Sequence, residues 1–146
     1  MKYYLLFAIV FLCAGCQLHD DNSLEAIDDS LTTWAEAYFA YDYEKSLEYL
    51  TPESEKWIRF AASNITEQDI RFINEHNKGV KVTIIDRHVM AGDTACAAMI
   101  RVTDYAQLGF ADQDDKVIDQ AEYQVTLVKR NGKWLVKMEG PLQSGK

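Results

Sequence analysis

The amino-acid sequence predicts an α+β domain, with helices from the first half packed on one face of an antiparallel, four-stranded sheet from the second. Three observations carry this. Apolar residues recur every three or four positions between Leu24 and Ile73, the period of a helix buried along one stripe. From Val80 the period falls to two, that of a strand buried on one face. Asn131-Gly132 then links two such stretches as a hairpin turn. A run of helices followed by a run of strands sorts into two layers around one core.

The first element is not part of that fold. Lys2 is followed by an uncharged apolar run from Tyr3 to Gly15, shorter than the ~20 residues a membrane-spanning helix needs. It has the length and charge of a secretory signal ending in small residues. Leu12-Cys13-Ala14-Gly15-Cys16 resembles a bacterial lipobox, in which the last cysteine is acylated and becomes the new amino terminus. The pattern departs from the usual one where Cys13 replaces an aliphatic or small residue. The expected division is a signal peptide over residues 1–15, a lipidated cysteine with an acidic tether over 16–22, and a single domain over 23–146. Asp20 and Asp21 in the tether resemble the acidic export signal of surface lipoproteins, and serve equally as a solvated linker. Once Cys13 is removed and Cys16 acylated, Cys96 is alone and no internal disulfide can form.

The domain follows in order. Asn22 and Glu25 suit a capping box, and Leu24, Ile27, Leu31, Trp34 and Tyr38 form one helical stripe. A short helix is expected from Tyr43 to Leu50. Thr51-Pro52 caps and starts another, whose buried face is expected to carry Trp57, Phe60 and Ala61. Thr66 with Asp69 caps a last helix, buried through Ile70 and Ile73 and ended by Lys78-Gly79. Strands are expected over Val80–Val89, Thr94–Ala106 and Tyr123–Arg130, and after Asn131-Gly132. Their inward rows are Cys96, Ala98, Ile100 and Val102; Tyr123, Val125 and Leu127; and Trp134, Val136 and Met138. This phase puts Tyr105 on the outward face with Met99, Arg101 and Thr103.

This order of elements resembles the nuclear-transport-factor-2-like superfamily, whose curved sheet wraps helices into a cone. The resemblance rests on Trp34-Ala35-Glu36-Ala37-Tyr38-Phe39, Asp42-Tyr43-Glu44-Lys45-Ser46-Leu47, Thr51-Pro52-Glu53 and the ending Lys129-Arg130-Asn131-Gly132-Lys133-Trp134-Leu135-Val136. It covers roughly Leu24 to Met138 and is similar to small bacterial lipoproteins of this fold, sometimes labelled lumazine-binding-like. Enzymes of the superfamily work with acids and a tyrosine inside the cone. Those motifs are structural, and a fold does not specify a function.

Composition narrows the chemistry. The chain has 146 residues, 48% apolar and 12% aromatic, and a formal charge of -8 with no basic patch. Such a surface repels phosphate backbones, which excludes a nucleic-acid partner. Asp86, His88 and Tyr105 are the only candidates for an acid–base set. The rows Val80, Val82, Ile84 and Ile85, Val89 compete for the core side of their strand, and a bulge at Ile84-Ile85 would satisfy both and turn Asp86 and His88 to solvent. His19, His76 and His88 have no metal-ligand spacing. The run Asp112, Asp114, Asp115 and Asp119 lacks the glycine and closing glutamate of a calcium loop. Neither a serine elbow nor a phosphate loop is present, Cys96 reads as a buried apolar thiol, and nothing asks for a cofactor.

The aromatic residues remain. Trp34, Tyr38, Trp57, Phe60, Tyr123 and Trp134 are candidates to line a pocket for a small apolar or aromatic ligand, or else to fill the core. The leading expectation is a non-catalytic ligand-binding or interaction domain, tethered to the bacterial envelope membrane through Cys16. The outer membrane is the expected site, with exposure on its surface as the further option. A cone enzyme of the isomerase, dehydratase or hydrolase type and an accessory subunit contacting an envelope protein are the alternatives.

Overall fold

The structure is a computed structural model and describes residues 21–142 together with 144 and 145. The expected signal segment, Cys13, the expected lipidation site Cys16 and most of the expected tether lie outside the described residues. Helix α1 runs Asp21–Phe39, α2 Tyr43–Leu47, α3 Glu55–Ser63 and α4 Glu67–His76. The strands are β1 (Lys81–Val89), β2 (Ala95–Gln107), β3 (Lys116–Arg130), β4 (Lys133–Lys137) and the two-residue β5 (Ser144–Gly145). The sheet is antiparallel in the order β1-β2-β3-β4, with β5 on β3 beside β4. Helices followed by a curved four-stranded antiparallel sheet make the nuclear-transport-factor-2-like cone. No helix among the described residues is long and apolar enough to cross a membrane.

Local chemistry explains most boundaries. Thr66 Oγ1 accepts the Asp69 N–H at 3.2 Å while Asp69 Oδ2 accepts the Thr66 N–H at 2.7 Å, the reciprocal pair that satisfies two free donors at the start of α4. Asn131 (φ 52°) and Gly132 (φ 78°) are both left-handed, as a two-residue hairpin turn between twisted strands requires. Helix α1 begins at Asp21 and so includes Asn22, the residue expected to cap it. The short α2 stops at Leu47, and β3 starts seven residues before the expected Tyr123.

The core lies between the buried stripe of α1 and the concave face of the sheet. Ile27, Leu31 and Trp34 meet Cys96, Ile100, Leu127, Trp134 and Val136, all of them buried. Full burial of an Ile or Leu side chain stabilises by roughly 1.5–3 kcal/mol, so this stripe is the main tie between the two layers. The chain after α2 adds to the edge of β4. Thr51 donates to the Val136 carbonyl at 2.9 Å, and Val136 donates to that of Tyr49 at 2.7 Å. The buried Thr51 and Ser54 hydroxyls bond each other at 2.6 Å, and Ser54 Oγ also meets the backbone of Met138. Those bonds offset the cost of burying them.

Two strand irregularities set which side chains face inward. In β1, Ile84 pairs with Ile100 and Asp86 with Met99, so Ile85 is an extra, bulged residue. Val82 and Ile84 face the core before it, Arg87 and Val89 after it, and Asp86 and His88 are exposed. In β2 the regular alternation ends at Asp104, whose left-handed backbone (φ 56°) is tolerated by a short polar side chain. Tyr105 and Ala106 are consequently both buried, which corrects the outward placement expected for Tyr105.

The helical faces need correction too. Ile58 is the buried residue of α3, whereas Phe60 is 48% exposed and Trp57 half-buried. Helix α4 buries no residue, and Ile70 is 50% exposed. Both amphipathic faces exist, but α3 leans over an opening where the sequence predicts a filled core.

Candidate functional site

That opening is a cavity of about 630 Å³ beneath the carboxyl-terminal half of α1. Its walls come from four places. The end of α1 supplies Tyr38 and Phe39, and the connection to α2 supplies Tyr41 and Tyr43. Helix α3 supplies Trp57, Phe60 and Asn64, and the sheet supplies Tyr105, Gln107 and Tyr123. The β2–β3 loop brings Phe110 to the mouth, 6.4 Å from Phe60 between ring centroids.

The rings are held by specific contacts. Phe39 meets Tyr105 at 5.1 Å and Tyr123 at 4.9 Å between centroids, in edge-on and tilted geometries that aromatic quadrupoles favour. The Tyr105 and Tyr123 hydroxyls bond each other. Tyr41 is left-handed (φ 62°), an uncommon conformation for a bulky residue. Its hydroxyl donates to the Ala106 carbonyl at 2.7 Å and accepts the Leu108 N–H at 3.2 Å. Asn77 ties the same region together: its amide donates to the Phe39 carbonyl and accepts the Ala106 N–H, both at 2.9 Å. The end of α1, the end of α4 and the kinked end of β2 are thereby fixed to one another.

The β2–β3 loop is closed on itself. Gly109 donates to Asp115 Oδ1 at 2.8 Å, and a Cβ on Gly109 would stand 1.9 Å from the Gln113 carbonyl oxygen. Only glycine fits that approach. Phe110 is therefore carried on a braced turn.

Burial raises the pKa of all five cavity tyrosines. Tyr38 and Tyr41 are pushed up to about 12, and Tyr43, Tyr105 and Tyr123 are also raised, chiefly by desolvation of the phenolate. All are neutral at physiological pH. Among the described residues no lysine, arginine or histidine lines the cavity, and the one carboxylate that does is Asp69. The cavity can therefore hold a ligand by ring faces and neutral hydrogen-bonding groups.

Of the sequence-predicted pocket residues, the structure brings together Tyr38, Trp57, Phe60 and Tyr123. Trp34 and Trp134 are buried in the core instead, because both sit where α1 presses directly on the sheet. Trp34 does touch the site indirectly, stacking on Tyr38 at 5.0 Å. Tyr105 lines the cavity, while Asp86 and His88 stand exposed on β1 outside its lining. The acid–base set of Asp86, His88 and Tyr105 is thus not assembled: the β1 bulge sends the first two outward and the Asp104 kink sends Tyr105 inward. Among the described residues no three His, Cys, Asp or Glu side chains gather as metal ligands.

Sequence reasoning missed the pair between Arg87 and Asp28, 2.9 Å apart across β1 and α1. Burial raises the Asp28 carboxyl, Arg87 opposes that, and Asp29 adds to it. Its only sequence signal is that Arg87 takes the inward phase once Ile85 bulges. The roles of Asn77 and Phe110 were equally hidden, since both depend on contacts distant in sequence.

Comparison with known proteins agrees with the geometry. A protein of unknown function from Mycobacterium tuberculosis shares the fold with TM-score 0.52 and 12% identity, over 86% of this chain and 73% of that one. A nuclear-transport-factor-2-like protein of unknown function from Shewanella oneidensis gives TM-score 0.51 and 12% identity, over 77% and 93% of the two chains. The association domain of the Caenorhabditis elegans kinase CaMKII is 19% identical over 79% of this chain and 91% of that one, with TM-score 0.41. No curated protein matches. Residues 25–138, nearly the whole described fold, match the family described as calcium/calmodulin dependent protein kinase II association domain. The chain is a nuclear-transport-factor-2-like protein, and it belongs to that association-domain family.

Proposed function

We propose that this is a tethered, non-catalytic binding domain that receives a small, largely apolar ligand in the ring-lined cavity. The observation that carries the reading is the cavity itself: about 630 Å³, within the ~300–1,000 Å³ of small-molecule sites, and walled by rings at the end of an otherwise close-packed core. Three of its five tyrosine hydroxyls are engaged by protein groups, and Asp69 is engaged in capping α4. That favours binding over acid–base chemistry, which needs a carboxylate free to exchange a proton with the ligand.

Acylation of Cys16 would hold the domain at the bacterial envelope membrane. The support is the small-residue cleavage pattern before Cys16 and the acidic tether after it. Metabolic labelling with a clickable fatty acid tests this; label retained by Cys16→Ser would remove it. For the cavity, nuclear magnetic resonance of the purified protein with a panel of one- and two-ring aromatic fragments is the test. Shifts should concentrate on Tyr43, Trp57, Phe60 and Tyr105. Shifts spread over the outer face of the sheet, with none in the cavity, would refute the reading.

A second reading follows from the outer face of the sheet. There Ala95 pairs with Val128 and Val128 with Leu135, and Ala97 and Met99 continue the same face of β2 opposite Thr126 and Gln124; the five apolar residues are all half-exposed. The salt bridge between Arg101 and Glu122 at 2.8 Å borders them. A flat apolar face of this kind suits association with an envelope protein or another copy, in keeping with the family's description. Sedimentation equilibrium of the purified protein and of Met99→Lys separates a self-associating domain from a monomer.

A further inference from the structure

We infer that the cavity selects an organic cation, an aromatic or quaternary ammonium of one- or two-ring size, over neutral and anionic molecules of the same shape. The inference rests on the cavity being a ligand site and goes beyond that reading by naming the ligand's charge.

Nine of the nineteen residues lining the cavity carry aromatic rings, so a ligand of one- or two-ring size is surrounded by aromatic side chains. A ring face is the negative end of its quadrupole and attracts a cation within ~6 Å of its centre. Among the described residues the walls add no positive charge to oppose this, since neither lysine, arginine nor histidine is among them. Their one ionisable carboxylate, Asp69, lies on the α4 side. It accepts a backbone N–H through Oδ2, which orients the group and leaves its charge in place. The tyrosines contribute no compensating switch, because burial keeps them neutral.

An anion in this setting would exchange its hydration for ring faces and a carboxylate, both repulsive. A neutral ligand gains the apolar contact alone. A cation gains that contact and the electrostatic attraction, and the chain's formal charge of -8 draws it toward the mouth. One ring of the wall already has such a contact: the exposed Lys56 places Nζ 5.2 Å from the Trp57 ring centroid. Lys56 itself is not part of the lining.

The test is calorimetric titration of the purified full chain with three probes of similar shape and different charge: meta-hydroxyphenyltrimethylammonium, meta-tert-butylphenol and meta-hydroxybenzenesulfonate. The ammonium should bind about tenfold more tightly than the neutral phenol, the advantage expected of a desolvated cation–π contact, and the sulfonate should not bind measurably. Asp69→Asn, which retains a capping oxygen, and Phe60→Leu, at a half-exposed position, should each reduce the ammonium's advantage over the phenol several-fold. Phenol binding as tight as ammonium binding would overturn the charge preference while leaving the cavity a ligand site. An advantage intact in both variants would also overturn it. If none of the three binds, the preference and the ligand-site reading fail together.

Discussion

The two ends of the concave face use the same kind of residue to opposite effect. At one end Trp34 of α1 and Trp134 of β4 are buried against Ile27, Leu31, Leu127 and Val136, and the space is filled. At the other, Tyr38, Trp57 and Tyr123 stand around a cavity. The difference is what covers the sheet. Where α1 lies flat on β4 and β1 its rings become core; beyond Phe39 the chain turns away at left-handed Tyr41 and α3 bridges the gap with only Ile58 buried. Aromatic content does not separate a pocket from a core; the path of the covering helix does.

The largest effect should come from the filled end. Trp34→Ala should destabilise the fold by about 3–5 kcal/mol, the usual cost of removing a large buried ring. Trp57→Ala, at the half-buried wall of the cavity, should cost no more than about 2 kcal/mol because much of its surface is already exposed. Denaturant unfolding of both variants measures the contrast. Equal costs would mean that α3 packs as tightly as α1.

Next in size is the tyrosine pair at the boundary between the ends. Tyr105→Phe should cost about 1–3 kcal/mol by leaving the buried Tyr123 hydroxyl without its partner. The double variant with Tyr123→Phe should cost less than the sum of the two, since each single change removes the same bond. Additive costs in the same unfolding experiment would show that the two hydroxyls act independently.

The open end also predicts a pH dependence. A tyrosine with a raised pKa favours the folded state only while it is neutral. Its contribution is complete below the ordinary value of 10.0 and is lost as pH rises through the folded value, about 12 for Tyr38 and Tyr41. Thermal stability should therefore decline above about pH 10, and tyrosinate absorbance from the cavity residues should appear together with unfolding. Tyrosinate formed by Tyr38 and Tyr41 in the folded protein near pH 10 would show that this end is wetter than its geometry indicates.

How much of this was legible in the sequence depends on whether the signal is local. The Thr66–Asp69 capping box and the Asn131-Gly132 hairpin are short-range chemistry, and both formed as the residues predict. The β1 bulge was legible as well, because two apolar rows in one strand cannot both face inward without an extra residue. Tyr105 was not. One left-handed residue, Asp104, changes the phase of everything after it, and alternation gives no sign of where such a residue falls. The face of α3 formed by Trp57, Phe60 and Ala61 was expected to be buried and is not, because a helix bordering a cavity has the same period as one bordering a core. Asn77 and Phe110 depend on meeting residues at least 29 positions away, which periodicity cannot report.

The smallest effect is expected on β1, at its exposed acid and histidine. Asp86→Asn and His88→Gln should each change stability by no more than about 0.5 kcal/mol, as substitutions at exposed positions usually do, and should leave probe binding in the cavity unchanged. A larger loss of either would show that the bulge does not hold these side chains in solvent.

The central claim is that the ring-lined space is an accessible binding site and not an unfilled corner of the core. Titration with Nile red, a neutral dye that brightens in apolar surroundings, tests it on the wild-type protein beside Ala61→Trp, whose new ring would occupy the cavity from the wall of α3. The account predicts saturable dye binding to the wild type and its loss in Ala61→Trp, with the melting temperature of the variant no lower. Dye emission equal in the two proteins would place the apolar binding surface elsewhere and contradict the account.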